Sequence, residues 1–200
     1  MRRYSAKERR FISWVRKQCK LHGFKCDLRN TRYVKLSGNI RCSGYFDETE
    51  RVLVVSMNRP DWIEILAHEY CHLTQFVEGC DVWRYGCIGI EKVDDWISGK
   101  TMRNIKKWIG WARDLELDNE KRTVDLIKRW GLKVDIPRYI KKANAYIQFY
   151  NYLYYTRRWS NPGNSPYGNE NLIEAMPDTF RMKYSDMSKR IFKLFQTENI

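Results

Sequence analysis

The sequence predicts an α+β protein: an N-terminal helix and a small β-sheet, followed by a mostly helical C-terminal part. Three observations carry this. Apolar side chains recur at helical spacing over residues 5–22. Four short β-rich runs follow between residues 24 and 57. Beyond residue 60 the apolar spacing returns to the helical repeat over most of the chain.

In the first helix the repeat runs through Phe11, Ile12, Trp14, Val15, Cys19 and Leu21, and Gly23 is the stop. The β-rich runs are Phe24–Leu28, Arg32–Leu36, Ile40–Phe46 and Arg51–Met57, punctuated by Gly38, Gly44 and the acidic stretch Asp47-Glu48-Thr49-Glu50. Tyr45-Phe46 and Val52-Leu53-Val54-Val55 flank a short polar turn and read as a β-hairpin. Pro60-Asp61 opens a second helix, with Pro in the first turn where its missing N–H needs no partner. Trp62, Ile65, Leu66, Leu73, Phe76 and Val77 supply its buried face, and it ends near Gly79. With Gly86, Gly89 and Gly99, the stretch from Cys80 to Lys100 reads as loop or short helix. Thr101 to Trp130 is strongly helical, with Gly131 as its C-terminal cap and Gly110 as a candidate break into two helices. Another helix is expected from Pro137 to about Trp159, stopped by the loop 160–166, and a last one from Asp178 to Phe195. A single domain is expected over residues 1–200, with 132–200 as a helical C-terminal extension.

Hydrophobic residues make up 43% of the 200 residues and charged residues 30%, a balance that excludes a disordered chain. The net charge of +13 favours acidic partners: nucleic acid, an anionic membrane surface or an acidic protein. Lys and Arg are spread along the chain without a long basic block, so a solvated basic surface and a nucleic-acid footprint weigh about equally. No segment has the roughly 18 apolar residues of a membrane span, and the N-terminus lacks the apolar stretch of a signal peptide. The six cysteines form no CxxC pair, which argues against a cysteine zinc ribbon. The expectation is a reduced, cytoplasmic, monomeric protein with mostly buried free thiols.

The most informative local pattern is His68-Glu69-Tyr70-Cys71-His72. On a helix, positions i and i+4 share one face, so His68 and His72 can offer two imidazole nitrogens to one zinc ion. Glu69 is rotated by about 100° from His68 and falls beside a metal-bound water, where a carboxylate serves as general base. Only three histidines occur in the chain, and two of them fall here. The third, His22, caps or ends the first helix. Residues 73–79 read Leu-Thr-Gln-Phe-Val-Glu-Gly, so no third histidine follows, and the third ligand is expected to be a downstream carboxylate. The best candidate is Glu116. Glu120, one turn on, is expected to accept a hydrogen bond from the non-ligating nitrogen of a zinc histidine. The reverse assignment, with Glu120 as ligand, stays open. Asp118 is a weaker candidate, and Asp94 and Asp95 are outside candidates.

His68-Glu69-Tyr70-Cys71-His72 together with Glu116-Leu117-Asp118-Asn119-Glu120 resembles the gluzincin pattern, in which HExxH is followed by ExxxD on a second helix. The resemblance covers roughly residues 45–130. It implies a zincin-like fold and a zinc metallopeptidase that hydrolyses peptide or protein substrates. His68, His72 and Glu116 would then be metal ligands, Glu69 the catalytic base, and the 120 carboxylate a buttress of a histidine. This chain has Glu120 where Asp is usual, and it lacks the spans of the compact membrane-associated gluzincins. Residues 138–159 are similar to small metallopeptidase-like proteins encoded by tailed phages. The resemblance also implies that a strand before the HExxH helix, Val52–Val55 or Ile40–Phe46, forms the cleft wall.

Two other readings compete. A DNA-associated SprT-like protease would use the +13 charge, but that group usually takes a third histidine as ligand. A non-catalytic basic binding protein that retained a zincin fold would have no use for Glu69. On the helix 138–159, Lys141, Lys142, Arg157 and Arg158 alternate with six tyrosines. That pattern suits an amphipathic helix on a core better than a single-strand binding surface.

Overall fold

Helix α1 spans Ala6–Leu21 and begins at a capping box. Ser5 accepts from the backbone N–H of Glu8, and the Glu8 carboxylate accepts in turn from the N–H of Ser5. In the computed structural model, which describes residues 4–36, 40–161, 163–181 and 183–200, α1 ends at His22, followed by Gly23 at φ +76°. Gly38, Pro162 and Met182, which fall in the expected strand break, loop and last helix, lie outside the described residues, as do residues 1–3. The chain packs as two units, one made of the residues to Gly79 with Arg122–Val134, the other of Cys80–Lys121 with Asp135–Ile200.

In the first unit five strands follow α1: β1 (Lys25–Arg29), β2 (Val34–Lys35), β3 (Arg41–Cys42), β4 (Gly44–Asp47) and β5 (Val52–Ser56). The sheet order is β1-β5-β4, with β1 parallel and β4 antiparallel to β5. The expected hairpin is therefore β4–β5, in the register Tyr45↔Val54 and Phe46↔Leu53. β2 and β3 form a separate antiparallel ladder. Leu53, Val54 and Val55 are all fully buried, so β5 is apolar on both faces rather than alternating, as a central strand covered on both sides must be.

Helix α2 (Trp62–Glu78) packs on β4 and β5 through its apolar face, with Trp62 and Leu66 fully buried and Leu73 nearly so. Asp61 is its N-cap, so Pro60 lies before the helix rather than in its first turn. Gly79 closes it in the left-handed conformation at φ +58°. The end of α4, 122–130, completes this unit: Trp130 meets Phe11 and Trp14 ring to ring, and Arg122 pairs with Glu78 at 2.7 Å.

The second unit is helical. It contains α3 (Asp81–Ile97), the first part of α4 (Ile105–Trp130), α5 (Ile136–Thr156), a 3-10 turn at Pro166–Gly168, α6 (Glu170–Ala175) and α7 (Lys189–Thr197). Its core gathers Val93, Ile109, Ala112, Phe149, Tyr150 and Phe195 with their neighbours.

Several expectations are corrected here. Cys80–Lys100 is not irregular, because 81–97 is helix α3. Its glycines serve packing. A Cβ at Gly86 would lie 2.4 Å from the Leu115 Cβ, and one at Gly89 would lie 2.7 Å from Ala112 N and Trp108 O. Missing side chains let α3 and α4 approach closely, while the remaining residues keep α3 helical. Gly110 does not break α4, which runs uninterrupted for 26 residues. A lone Gly costs about 1 kcal/mol relative to Ala, which a long packed helix absorbs. α4 starts at Ile105 rather than Thr101, and α5 ends at Thr156, where Arg157 turns left-handed. The last helix begins only at Lys189. Upstream of it the backbone oxygens are held by side chains instead: Asn144 donates to Pro177 and Thr179, Arg113 and Asn151 donate to Tyr184, and Ser188 caps α7. The six cysteines are free, but only Cys19 and Cys71 are buried; the other four are half-buried.

The contrast between two glycines of this unit gives a test. Gly89→Ala should destabilise by roughly 1–3 kcal/mol, since the rigid backbone of α4 stands where the methyl group would go. Gly110→Ala, where a Cβ meets only the Arg113 guanidinium at 3.8 Å, should stabilise by up to about 1 kcal/mol. Urea denaturation of both variants measures the opposite signs.

Candidate metal centre

α2 carries three of the candidate residues because its helical repeat fixes their directions. His68 and His72 are one turn apart, with ring centroids separated by 4.8 Å and planes near perpendicular. His68 is half-buried and His72 is 8% exposed. Glu69, also 8% exposed, points instead toward the strand side of the helix: a Cβ at Gly44 on β4 would lie 3.1 Å from the Glu69 Cγ and 2.7 Å from Ile65. Gly44 thus lets the edge strand settle onto the turn of α2 that bears the HExxH glutamate. Cys42, on β3, feels the same carboxylate. Burial first, and then the Glu69 charge, push its thiol up to about 11.

His72 Nδ1 lies 2.9 Å from Oε1 of Gln75, which is fully buried. With the Gln75 amide in this orientation its oxygen accepts from Nδ1–H, which leaves the lone pair on Nε2. Gln75 therefore sets the tautomer that a ligating histidine needs. The sequence pattern had singled out Glu120, not Gln75, as the partner of a zinc histidine; Gln75 is the residue found at His72 Nδ1. The signal was available, since Gln75 sits three residues after His72, within reach on the same helix.

α4 carries both glutamates, and neither is a solvated surface residue: Glu116 is 8% exposed and Glu120 is fully buried. The Glu120 oxygens accept from two phenols. Tyr139 on α5 donates to Oε2, and Tyr167 in the 3-10 turn donates to Oε1 at 2.6 Å. Burial, then the charges of Glu120 and Glu116, hold the Tyr167 phenol well above its usual pKa, so it stays a donor. Burial, followed by Tyr146 and Glu116, does the same for Tyr150. Tyr146 stacks on Tyr167 with ring centroids 4.5 Å apart. The tyrosines of α5 divide as expected: Tyr152 is buried in the core, and Tyr155 is exposed. Tyr139 serves the Glu120 carboxylate, Tyr167 joins it from outside the helix, and the Tyr150 hydroxyl lies 3.3 Å from that of Tyr146.

His68, His72 and Glu116 form a group whose ligand atoms all lie within 4.8 Å of one another, close enough to hold a metal ion. Glu120, Asp118, Asp94 and Asp95 are not in that group. Asp94 accepts from the Trp159 indole, and Asp95 pairs with Lys100 at 2.6 Å. His22, the spare histidine, is the C-cap of α1. The chain matches no protein-family model, no curated protein and no solved structure.

The Gln75 contact makes a prediction that needs no substrate. Gln75→Leu should weaken metal binding by about 10–100-fold, while Gln75→Glu, which keeps an acceptor, should stay within a few-fold of the wild type. Competition against a chromophoric chelator, with circular dichroism as a check on folding, measures both.

Proposed function

We propose that the protein is a zinc-dependent peptidase of the gluzincin type, with a zincin-like fold. The observation that carries this reading is the convergence of His68, His72 and Glu116 within 4.8 Å, beside a buried Glu69. Two imidazoles and one carboxylate are a donor set of catalytic zinc sites, which keep a fourth position open. Ligands of tetrahedral zinc stand about 3.4 Å apart at bond lengths of about 2.0–2.1 Å, so the three side chains need to close in by about an ångström, within the reach of side-chain rotation.

When bound, zinc would polarise the scissile carbonyl and bring the pKa of a water to about 7. Glu69 takes the proton of the attacking water and delivers it to the leaving amine nitrogen as the peptide C–N bond breaks. Gln75 keeps Nε2 of His72 available. Tyr139 and Tyr167 hold Glu120, and so the turn of α4 that follows Glu116, in a fixed conformation. An extended substrate has one suitable strand to pair with near Glu69. β5 is paired on both sides, which removes Val52–Val55 from the role, whereas β4 pairs with β5 alone among the described residues. Pairing with the free edge of β4 would lay a peptide beside the α2 turn that carries Glu69.

No helix among the described residues is long and apolar enough to cross a membrane, so the reading does not involve intramembrane cleavage by a spanning helix.

Two measurements test the proposal. Purified wild type should hold about one zinc per chain by elemental analysis, and His72→Ala and Glu116→Ala should each lose it. Glu69→Gln should keep its zinc and its fold but hydrolyse a quenched casein substrate about 10²–10⁴-fold more slowly. Undiminished hydrolysis by Glu69→Gln, or wild type that takes up no zinc when it is supplied, would overturn the reading.

A further inference from the structure

The positive charge is not evenly spread once the fold is considered. Residues 6–35 carry ten basic and two acidic side chains, a net +8 of the chain's +13. All ten basic residues are exposed. On α1 they are also sorted by face. Phe11, Val15 and Cys19 turn inward and are fully buried. At 100° per residue, Arg9, Arg16, Lys20, Lys17 and Arg10 fall on the opposite side, within about 120° of arc. Among the described residues Arg10, Arg16, Lys17 and Lys20 have no carboxylate partner. Lys7 donates to the Gly131 carbonyl at 2.9 Å, which brings the end of α4 alongside, where Lys128, Arg129 and Lys133 are exposed. The basic face therefore continues past the first turn of α1.

We propose that the outer face of α1 is a docking surface for the sugar–phosphate backbone of duplex nucleic acid, bound without sequence preference. Four features favour this partner. From Arg9 to Lys20 the helix rises about 16 Å, a length over which a duplex presents roughly ten phosphates. Guanidinium and ammonium groups without carboxylate partners at that spacing match a periodic polyanion better than a compact acidic protein patch. A membrane surface would need an apolar face to insert, and that of α1 is already spent on the core. A single strand would need ring faces to stack on, but Trp14 of α1 is packed against Phe11, Tyr70 and Trp130. The surface is independent of the metal centre: it uses none of His68, Glu69, His72 and Glu116.

Fluorescence anisotropy with a labelled 20-base-pair duplex of arbitrary sequence tests it. Wild type should bind at 50 mM salt, and log K should fall against log salt with a slope of about −3 or steeper. The variant R10Q/R16Q/K17Q/K20Q should bind at least about tenfold more weakly, with the slope shallower by about three. Gln is a good helix former, so its circular dichroism and zinc uptake should match wild type. Glu69→Gln should bind the duplex as wild type does. The proposal is overturned if the quadruple variant keeps the wild-type affinity and slope. It is equally overturned if wild type shows no binding at 50 mM salt, or if phosphatidylserine vesicles or a 20-nucleotide single strand compete more strongly than the duplex.

Discussion

Two carboxylates buried one turn apart on α4 set the main demand on the helical unit. A carboxylate taken out of water is costly unless hydrogen bonds or a cation compensate it. For Glu120 the compensation is two phenols, from Tyr139 and Tyr167, brought from different elements to the two oxygens of one side chain. That gives a structural role to Tyr139 on α5 and to the 3-10 turn at 166–168. Both contacts also order what lies around Glu116. Glu116, 8% exposed, forms with His68 and His72 a group able to hold a metal ion.

Close approach is the second organising device, and glycine supplies it in both units. Gly86 and Gly89 allow α3 to contact α4 with almost no side-chain thickness between them, and Gly44 brings the β4 edge against Ile65 and Glu69. These three positions share a logic: each places a rigid element against a helix that carries a candidate site residue. Helix α1 shows a complementary division of labour. Its inner face builds the core with Phe11, Val15 and Cys19, which leaves the outer face free for charge. Since the core already consumes the apolar side, that outer face is left to charged side chains.

What was legible in the sequence was local. The apolar spacing of α1, the β4–β5 hairpin, and the run of α2 to Gly79 all follow from short-range patterns. So does the pairing of His68 with His72, because a helix fixes the direction of residues four apart. Those rules involve only neighbours along the chain, and the structure keeps them. Glu116 was legible at one remove: two glutamates on one helical face suggested a buried role without showing what they face.

What only the tertiary structure decided depends on partners distant in sequence. Gly86 and Gly89 look like breakers until α4 is placed beside them, and 178–188 looks helical until the side chains of Asn144, Asn151 and Arg113 take its carbonyl oxygens. That β5 is the central strand of the three-stranded sheet, with β4 an edge strand among the described residues, follows from the parallel pairing with β1, which no hairpin rule contains. The tyrosine partners of Glu120 lie 19 and 47 residues away, a separation at which spacing carries no directional information. By itself the sequence determined which side chains share a face. Packing determined what each face meets, because close contact, burial and the hydrogen bonds that burial requires arise only when distant segments are brought together.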